Sequence, residues 1–206
     1  MTPPDLKLIE TLGWHPGEGL RRHDRHLARL ARSAAELGFA FDEGRARACL
    51  SQVQAETAQR CRLTLAKDGK LALTTFPLEP VARPWHLKIS STRLKSADVW
   101  LRHKTTHRAV YDNARATLPQ GIDEYIFLNE NNEFCEGTIT NLFVDSGPGP
   151  LSTPPVANGL LPGILREELL ARGEARETTL ALGDLRRARG LFVGNSLRGL
   201  IPAVLA

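Results

Sequence analysis

The chain has 206 residues, 42% of them hydrophobic and 24% charged, with a formal net charge of +4. That length suits one large domain or two small ones, and it is enough to bury a core. The mild basic excess suits attraction of anionic small molecules. The arginines are interspersed with acids, as in "LREELLARGEARE", rather than gathered into a stripe with aromatics, so no nucleic-acid partner is expected.

In chain order, "LKLIETLGW" reads as a first strand and "HPGEGL" as a turn. "RHDRHLARLARSAAELGFAFD" carries Leu27, Leu30, Ala34 and Leu37 near helical spacing, with Gly38 placed to end the helix. "EGRARACLSQVQAET" predicts a second helix with Ala46, Leu50 and Val53 on one face. "QRCRLTLAKDGKLALTTFPL" predicts a hairpin turning at Asp68-Gly69. The proline-rich "PLEPVARPW" reads as a link, dividing the chain into an N-terminal lobe over 1–82 and a C-terminal lobe over 83–206 that carries Lys104. After it come a strand "HLKIS", a turn around Lys104, and a helix over "HRAVYDNARATL". A strand "EYIFLN", a turn "ENNE", a strand region "FCEGTITNLFVD" and a short strand "LSTPP" follow. "LPGILREELLARG" predicts a helix with Pro162 in its first turn and Gly173 as its stop. The remainder reads as a strand, a short helix over "LGDLRRA" and a final strand pair. The class is α+β.

Several residues stand out for chemistry. Lys104 lies in "LRHKTTHRAVYDN" between Arg102 and Arg108, and neighbouring cations or burial turn a lysine into a nucleophile by lowering its pKa. Glu136 interrupts the apolar "FCEGTITNLFV"; a carboxylate among such neighbours needs a cationic partner, and a protonated pyridine nitrogen would serve. "GLLPGILREELL" presents a helix start, whose N–H groups and dipole favour anions. Asn195 and Ser196 lie in a polar turn after an apolar strand, able to donate to phosphate oxygens. Arg25, Arg29 and Arg32 form a basic row on the first helix, which by itself reads as a solvated face.

Other chemistries find no support. The six histidines show no HExxH or similar spacing and the cysteines are scattered, so no metal is expected. There is no GxSxG elbow, GxGxxG turn or GxxxxGK[ST] loop. No stretch approaches the roughly 20 apolar residues of a membrane span, and "MTPPDLKLIETL" lacks a basic region ahead of an apolar run, so neither membrane nor signal peptide is expected. Cys49, Cys61 and Cys135 are odd in number and unpaired by motif, which suits free thiols and a cytoplasmic protein.

The ordered set "HLARLARSAAELGF", "HKTTHRAVY", "CEGTITNLF", "LLPGILREELL" and "GNSLRGL" resembles the class IV aminotransferases, the fold-type IV pyridoxal-phosphate enzymes, over nearly the whole chain. The resemblance implies a two-lobed, D-amino-acid-aminotransferase-like fold with a smaller N-terminal α/β lobe and a larger C-terminal lobe. It implies pyridoxal 5'-phosphate as cofactor, a small amino or carboxylate substrate, and a homodimer. Carried onto this chain, Lys104 would form the Schiff base and Glu136 would pair with the pyridine nitrogen. Arg29 would hold the cofactor phosphate, joined by the backbone amides of Ile164 and Leu165 and by Ser196. Leu165 stands where many members have threonine. Thr11 in "IETL" and the Lys104-x-x-x-Arg108 spacing resemble the 4-amino-4-deoxychorismate lyase branch, in which Thr11 would help proton transfer. The expected reaction then releases p-aminobenzoate and pyruvate, with Arg102, Arg108 and Arg198 as candidates for the substrate carboxylates. A branched-chain or D-amino-acid type aminotransferase is the alternative, and a non-catalytic binding module on the same fold is a third reading. The Thr105-Thr106 pair is expected to shape the turn.

Overall fold

A computed structural model describes residues 5–206; the first four residues of the N-terminal stretch and of the 1–82 lobe lie outside the described residues. The chain forms two units, one of residues up to Pro80 with His103–His107, the other of Val81–Arg102 with Arg108–Ala206.

The first unit holds strands β1 (Lys7–His15), β2 (Gly19–Leu20), β3 (Gln59–Ala66) and β4 (Leu71–Pro77). They form an antiparallel sheet in the order β2-β1-β3-β4. In β3, Cys61, Leu63 and Leu65 are buried while the residues between them are not, the period of a sheet with one face on a core. Helix α1 (His23–Leu37) covers that sheet through Leu27, Leu30 and Ala34. Gly38, at φ 66, closes the helix by donating its N–H to Ala34 and Ala35 carbonyls, a left-handed cap that glycine adopts without strain. Helix α2 (Glu43–Leu50) starts where the Asp42 side chain accepts from the Arg45 N–H. It stops at Leu50, short of the expected run through Thr57, since Gln54, Glu56 and Thr57 offer no apolar face to bury.

The segment around Lys104 belongs to this unit. The Ile9 N–H donates to the Lys104 carbonyl at 2.8 Å, the Thr106 N–H donates to the Lys7 carbonyl at 2.9 Å, and Thr105 bridges Leu8. The sequence places Lys104 in a C-terminal lobe; the structure packs it onto β1 instead. The cause is the short reach of β2, which pairs only Trp14 and His15. The Lys7–Ile9 edge would otherwise lack backbone partners.

The second unit contains β5 (Trp85–Leu94), β6 (Glu124–Asn129), β7 (Phe134–Gly137), β8 (Asn141–Asp145), β9 (Leu151–Thr153), β10 (Ala175–Glu177), β11 (Gly190–Asn195) and β12 (Gly199–Leu205). They run β10-β9-β8-β11-β12-β5-β6-β7, and a further β7–β8 pairing closes the β8-to-β7 stretch into a ring. Helices α3 (Ala109–Ala116), α4 (Ile164–Ala171) and α5 (Leu182–Arg187) complete the unit. Strand β6 buries apolar side chains on both faces. Ile126 and Leu128 pack with Phe134, Leu142 and Val193, while Phe127 packs with Tyr111 and Leu101. On β8, Phe143 faces Leu165 and Leu169 of α4. Strands buried on both sides read as continuous apolar runs, as these do in the sequence.

Three details differ from expectation. The strand region 134–145 is broken by a turn at 138–140, whose threonines satisfy a buried acid described below. Helix α4 begins after Gly163, so Pro162 lies ahead of the cap. The strand expected near 178–181 occurs earlier, as β10, parallel to β9. Among the described residues no helix is long and apolar enough to cross a membrane.

Candidate active site

In the first unit, β1 turns Glu10 toward α1, where its carboxylate is 2% exposed. Arg29 donates Nε to Oε1 at 2.9 Å and Nη2 to Oε2 at 2.7 Å, and His26 Nδ1 lies 2.6 Å from Oε2. Burial pushes the Glu10 pKa up, but Arg29 and His26 outweigh it and hold the carboxyl at about 2. Burial lowers the His26 pKa in spite of Glu10 beside it, and the charges of Arg29 and Lys104 add to that lowering. The consistent state is an ionised Glu10 accepting Nδ1–H from a neutral imidazole. Arg29, expected at the cofactor phosphate and read by itself as solvated, is therefore a buried guanidinium oriented by a carboxylate. The sequence reading passed over Glu10; its only signal was an acid in mid-strand.

Lys104 sits in a clamped stretch. On one side His103 Nδ1 is 3.0 Å from Ser33 Oγ; on the other Thr105 Oγ1 accepts the His107 N–H and Thr106 Oγ1 accepts the Lys7 N–H, both at 3.0 Å. The two threonines shape the turn that presents the lysine. Thr11 is half-buried and lies opposite Arg62 in the β1–β3 register. Because alternate residues face opposite sides of a strand, its hydroxyl projects from the face away from Glu10, beside Arg62.

In the second unit, Glu136 and Asn141 are the Cα partners that close the strand ring. Tyr111 Oη donates to Glu136 Oε1 at 2.5 Å, and Asn141 Nδ2 lies 3.5 Å from Oε2. The Asn141 amide also donates to the Leu161 carbonyl at 3.0 Å, and its Oδ1 lies 2.0 Å from where a Cβ on Gly163 would stand. Only glycine permits that approach, which ties the acid to the start of α4. Gly163 provides no side-chain cap, and first-turn N–H groups, those of Ile164 and Leu165 included, have no partner within a helix. A Cβ on Gly194 would meet Leu165 Cδ2 at 2.8 Å and the Gly199 carbonyl at 2.9 Å, so the β11–β12 turn also lies tight against α4. In that turn Asn195 donates to the Ile139 carbonyl at 3.2 Å and accepts from the Leu197 and Arg198 N–H groups at 3.1 and 3.0 Å. Ser196 beside it is buried.

The arginines considered for substrate are held differently. Arg108 donates to Asp112 Oδ1 at 2.8 Å and to the Thr138 carbonyl at 2.9 Å, and lies over the Tyr111 ring. Arg198 lies 5.9 Å from the Trp85 ring centre, and Arg102 is exposed at the end of a short 3-10 turn. A further acid escaped the sequence reading. Glu124 is fully buried and accepts from the Thr138 N–H at 3.1 Å, Thr138 Oγ1 at 2.5 Å, the Ile139 N–H at 3.2 Å and Thr140 Oγ1 at 3.1 Å. Burial raises its pKa. It pins the turn after Glu136.

The donor chemistry fits pyridoxal 5'-phosphate. The first unit offers an amine for the aldehyde and a buried guanidinium for phosphate. The second offers a carboxylate for the pyridine N–H and first-turn amides for an anion. The fold is that of the fold-type IV pyridoxal-phosphate enzymes, and the donor types in each unit suit that class. The profile described as amino-transferase class IV matches residues 7–205, and the chain belongs to that family. A "Putative amino-acid aminotransferase" of Mesorhizobium loti, known from its crystal structure, is 51% identical, covers 98% of this chain and 100% of its own, and superposes with a TM-score of 0.94. A "Putative aminodeoxychorismate lyase" of Schizosaccharomyces pombe is 27% identical over 197 residues, 87% of this chain and 82% of that protein. The branched-chain amino acid aminotransferase of Escherichia coli, 21% identical with a TM-score of 0.79 over 98% of this chain and 77% of its own, shares the fold.

Proposed function

We propose that the chain is a lyase that converts 4-amino-4-deoxychorismate to p-aminobenzoate and pyruvate. The observation that carries this is Thr11 in mid-β1, which resembles the threonine that helps proton transfer in the lyase branch. The lyase relative, matched over most of both chains, supports it. Bound pyridoxal phosphate supplies the electron sink. Lys104 Nζ would hold the cofactor and would move the proton at the carbon bearing the substrate amine. Glu136 would keep the ring nitrogen protonated. The family resemblance assigns phosphate contacts to Arg29 in the first unit and to the amides of Ile164 and Leu165 and the Asn195–Ser196 turn in the second. Thr11 assists protonation of the departing enolpyruvyl group, and Arg102, Arg108 and Arg198 serve the substrate carboxylates. The family resemblance supports a homodimer.

One observation favours an aminotransferase instead: the 51% identical Mesorhizobium loti protein carries that name. Fold and cofactor alone do not choose between the two reactions. Purified protein is supplied with aminodeoxychorismate and pyruvate release is followed, beside a Lys104→Ala control. Pyruvate from the wild type alone supports the lyase. Glutamate-dependent amination of 2-oxo acids without pyruvate release overturns it in favour of the aminotransferase. Protein that takes up no pyridoxal phosphate, and is not labelled at Lys104 on borohydride reduction, sinks both.

A further inference from the structure

Glu136 is gripped from one side by a group that neither reading uses. Tyr111 is buried on α3, and its ring stands edge-on to Phe127, with centres 5.4 Å apart at 86°. The Arg108 guanidinium lies 5.5 Å from the ring centre on the same helix end. That packing leaves the phenol little rotational freedom and aims Oη at Glu136 Oε1, 2.5 Å away. The separation is at the short end for an O–H donor on a carboxylate, a charge-assisted bond of the stronger kind. Asn141 approaches the other oxygen at only 3.5 Å, so the tyrosine supplies the firmer hold.

We propose that Tyr111 is a positioning residue for Glu136: it fixes the carboxylate through Oε1 and lowers its basicity, so that a pyridine nitrogen facing it keeps its proton. The inference rests on the role proposed for Glu136. Burial and the Glu136 charge both push the Tyr111 pKa well up, so the phenol stays a donor. A carboxylate that accepts a strong hydrogen bond is a weaker base. Without that bond a buried carboxylate competes for the proton, and the ring is a poorer electron sink. Substrate and phosphate contacts would be unchanged.

The test uses holoenzyme loaded with pyridoxal phosphate carrying nitrogen-15 in its ring. Tyr111→Phe keeps the ring and its contact with Phe127 while removing the hydroxyl. The expected result is a nitrogen resonance displaced from the pyridinium position toward neutral pyridine. Turnover should fall about tenfold or more, the scale of a hydrogen bond to a charged group, with KM nearly unchanged. An unchanged resonance in a folded, loaded variant overturns the inference and leaves the role of Glu136 standing. A wild-type resonance already at the neutral position overturns both.

A second measurement covers a variant that fails to load. The chain has two tyrosines, so fluorotyrosine in a Tyr125→Phe background reports Tyr111 alone. Its fluorine resonance should shift on Glu136→Gln; if it does not move, the inference is wrong.

Discussion

Replacing Glu10 with glutamine keeps the shape of the side chain and removes its charge. The carboxylate is 2% exposed and is met at 2.6, 2.7 and 2.9 Å by His26 and Arg29. An amide has one acceptor oxygen where the carboxylate has two, so part of the Arg29 fork would face an N–H group. Removing one partner of a buried ion pair costs about 3–5 kcal/mol. A second route gives a similar size. The carboxyl is held at about 2 against an ordinary 4.5, and at about 1.4 kcal/mol per pH unit this is on the order of 3 kcal/mol at neutral pH. Because the folded-state pKa lies below the unfolded one, that contribution is complete above the unfolded value and is lost as pH falls through the folded one. His26, also lowered, binds its proton less readily in the fold, so stability is likewise lost as pH falls below its ordinary value. Urea unfolding at a single protein concentration, at pH 7 and again near pH 3, measures both. Glu10→Gln should be less stable by about 3–5 kcal/mol at pH 7, with the gap narrowing in acid. A gap under about 1 kcal/mol, no more than an exposed pair is worth, or one equal at both pH values would refute the reasoning.

Gly163→Ala would place a Cβ 2.0 Å from Asn141 Oδ1. Overpacking of this kind costs about 1–3 kcal/mol, and pushing Asn141 aside should weaken pyridoxal-phosphate binding about tenfold or more, the equivalent of about 1.4 kcal/mol. Wild-type affinity by fluorescence titration would show that Asn141 swings clear at little cost. Burial pushes the Cys61 thiol up to about 11, Cys135 higher still, and Cys49 upward as well. Thiol titration at pH 8 should therefore be slow on native protein and count three only in denaturant; rapid labelling of all three in the native state would contradict this.

The strands with one buried face and the long amphipathic helix were legible because their periods are written in neighbouring residues. Gly38 and Gly69, at φ 66 and 87, are turns that the sequence marks by itself, since few other residues tolerate that backbone. Glu136 was legible as an acid out of place among apolar neighbours. The two acids that were missed, Glu10 and Glu124, lie within strands too, yet their meaning depends on donors far along the chain: Arg29 across to α1, and the 138–140 turn. Nothing local in "LIETL" or "DEYIF" distinguishes a solvated carboxylate from one gripped by several donors.

By itself the sequence determined the α+β class and the order of the elements, because propensity, periodicity and turn chemistry act over a few residues; the ordered motifs added the resemblance to class IV enzymes. Tertiary structure alone decided that Lys104 packs on β1, that Arg29 is turned inward by Glu10, and that Glu136 closes a strand ring with Asn141 while held by Tyr111. These are pairings between groups distant in sequence, set by which strand edge lacks partners and by which buried charge must be neutralised.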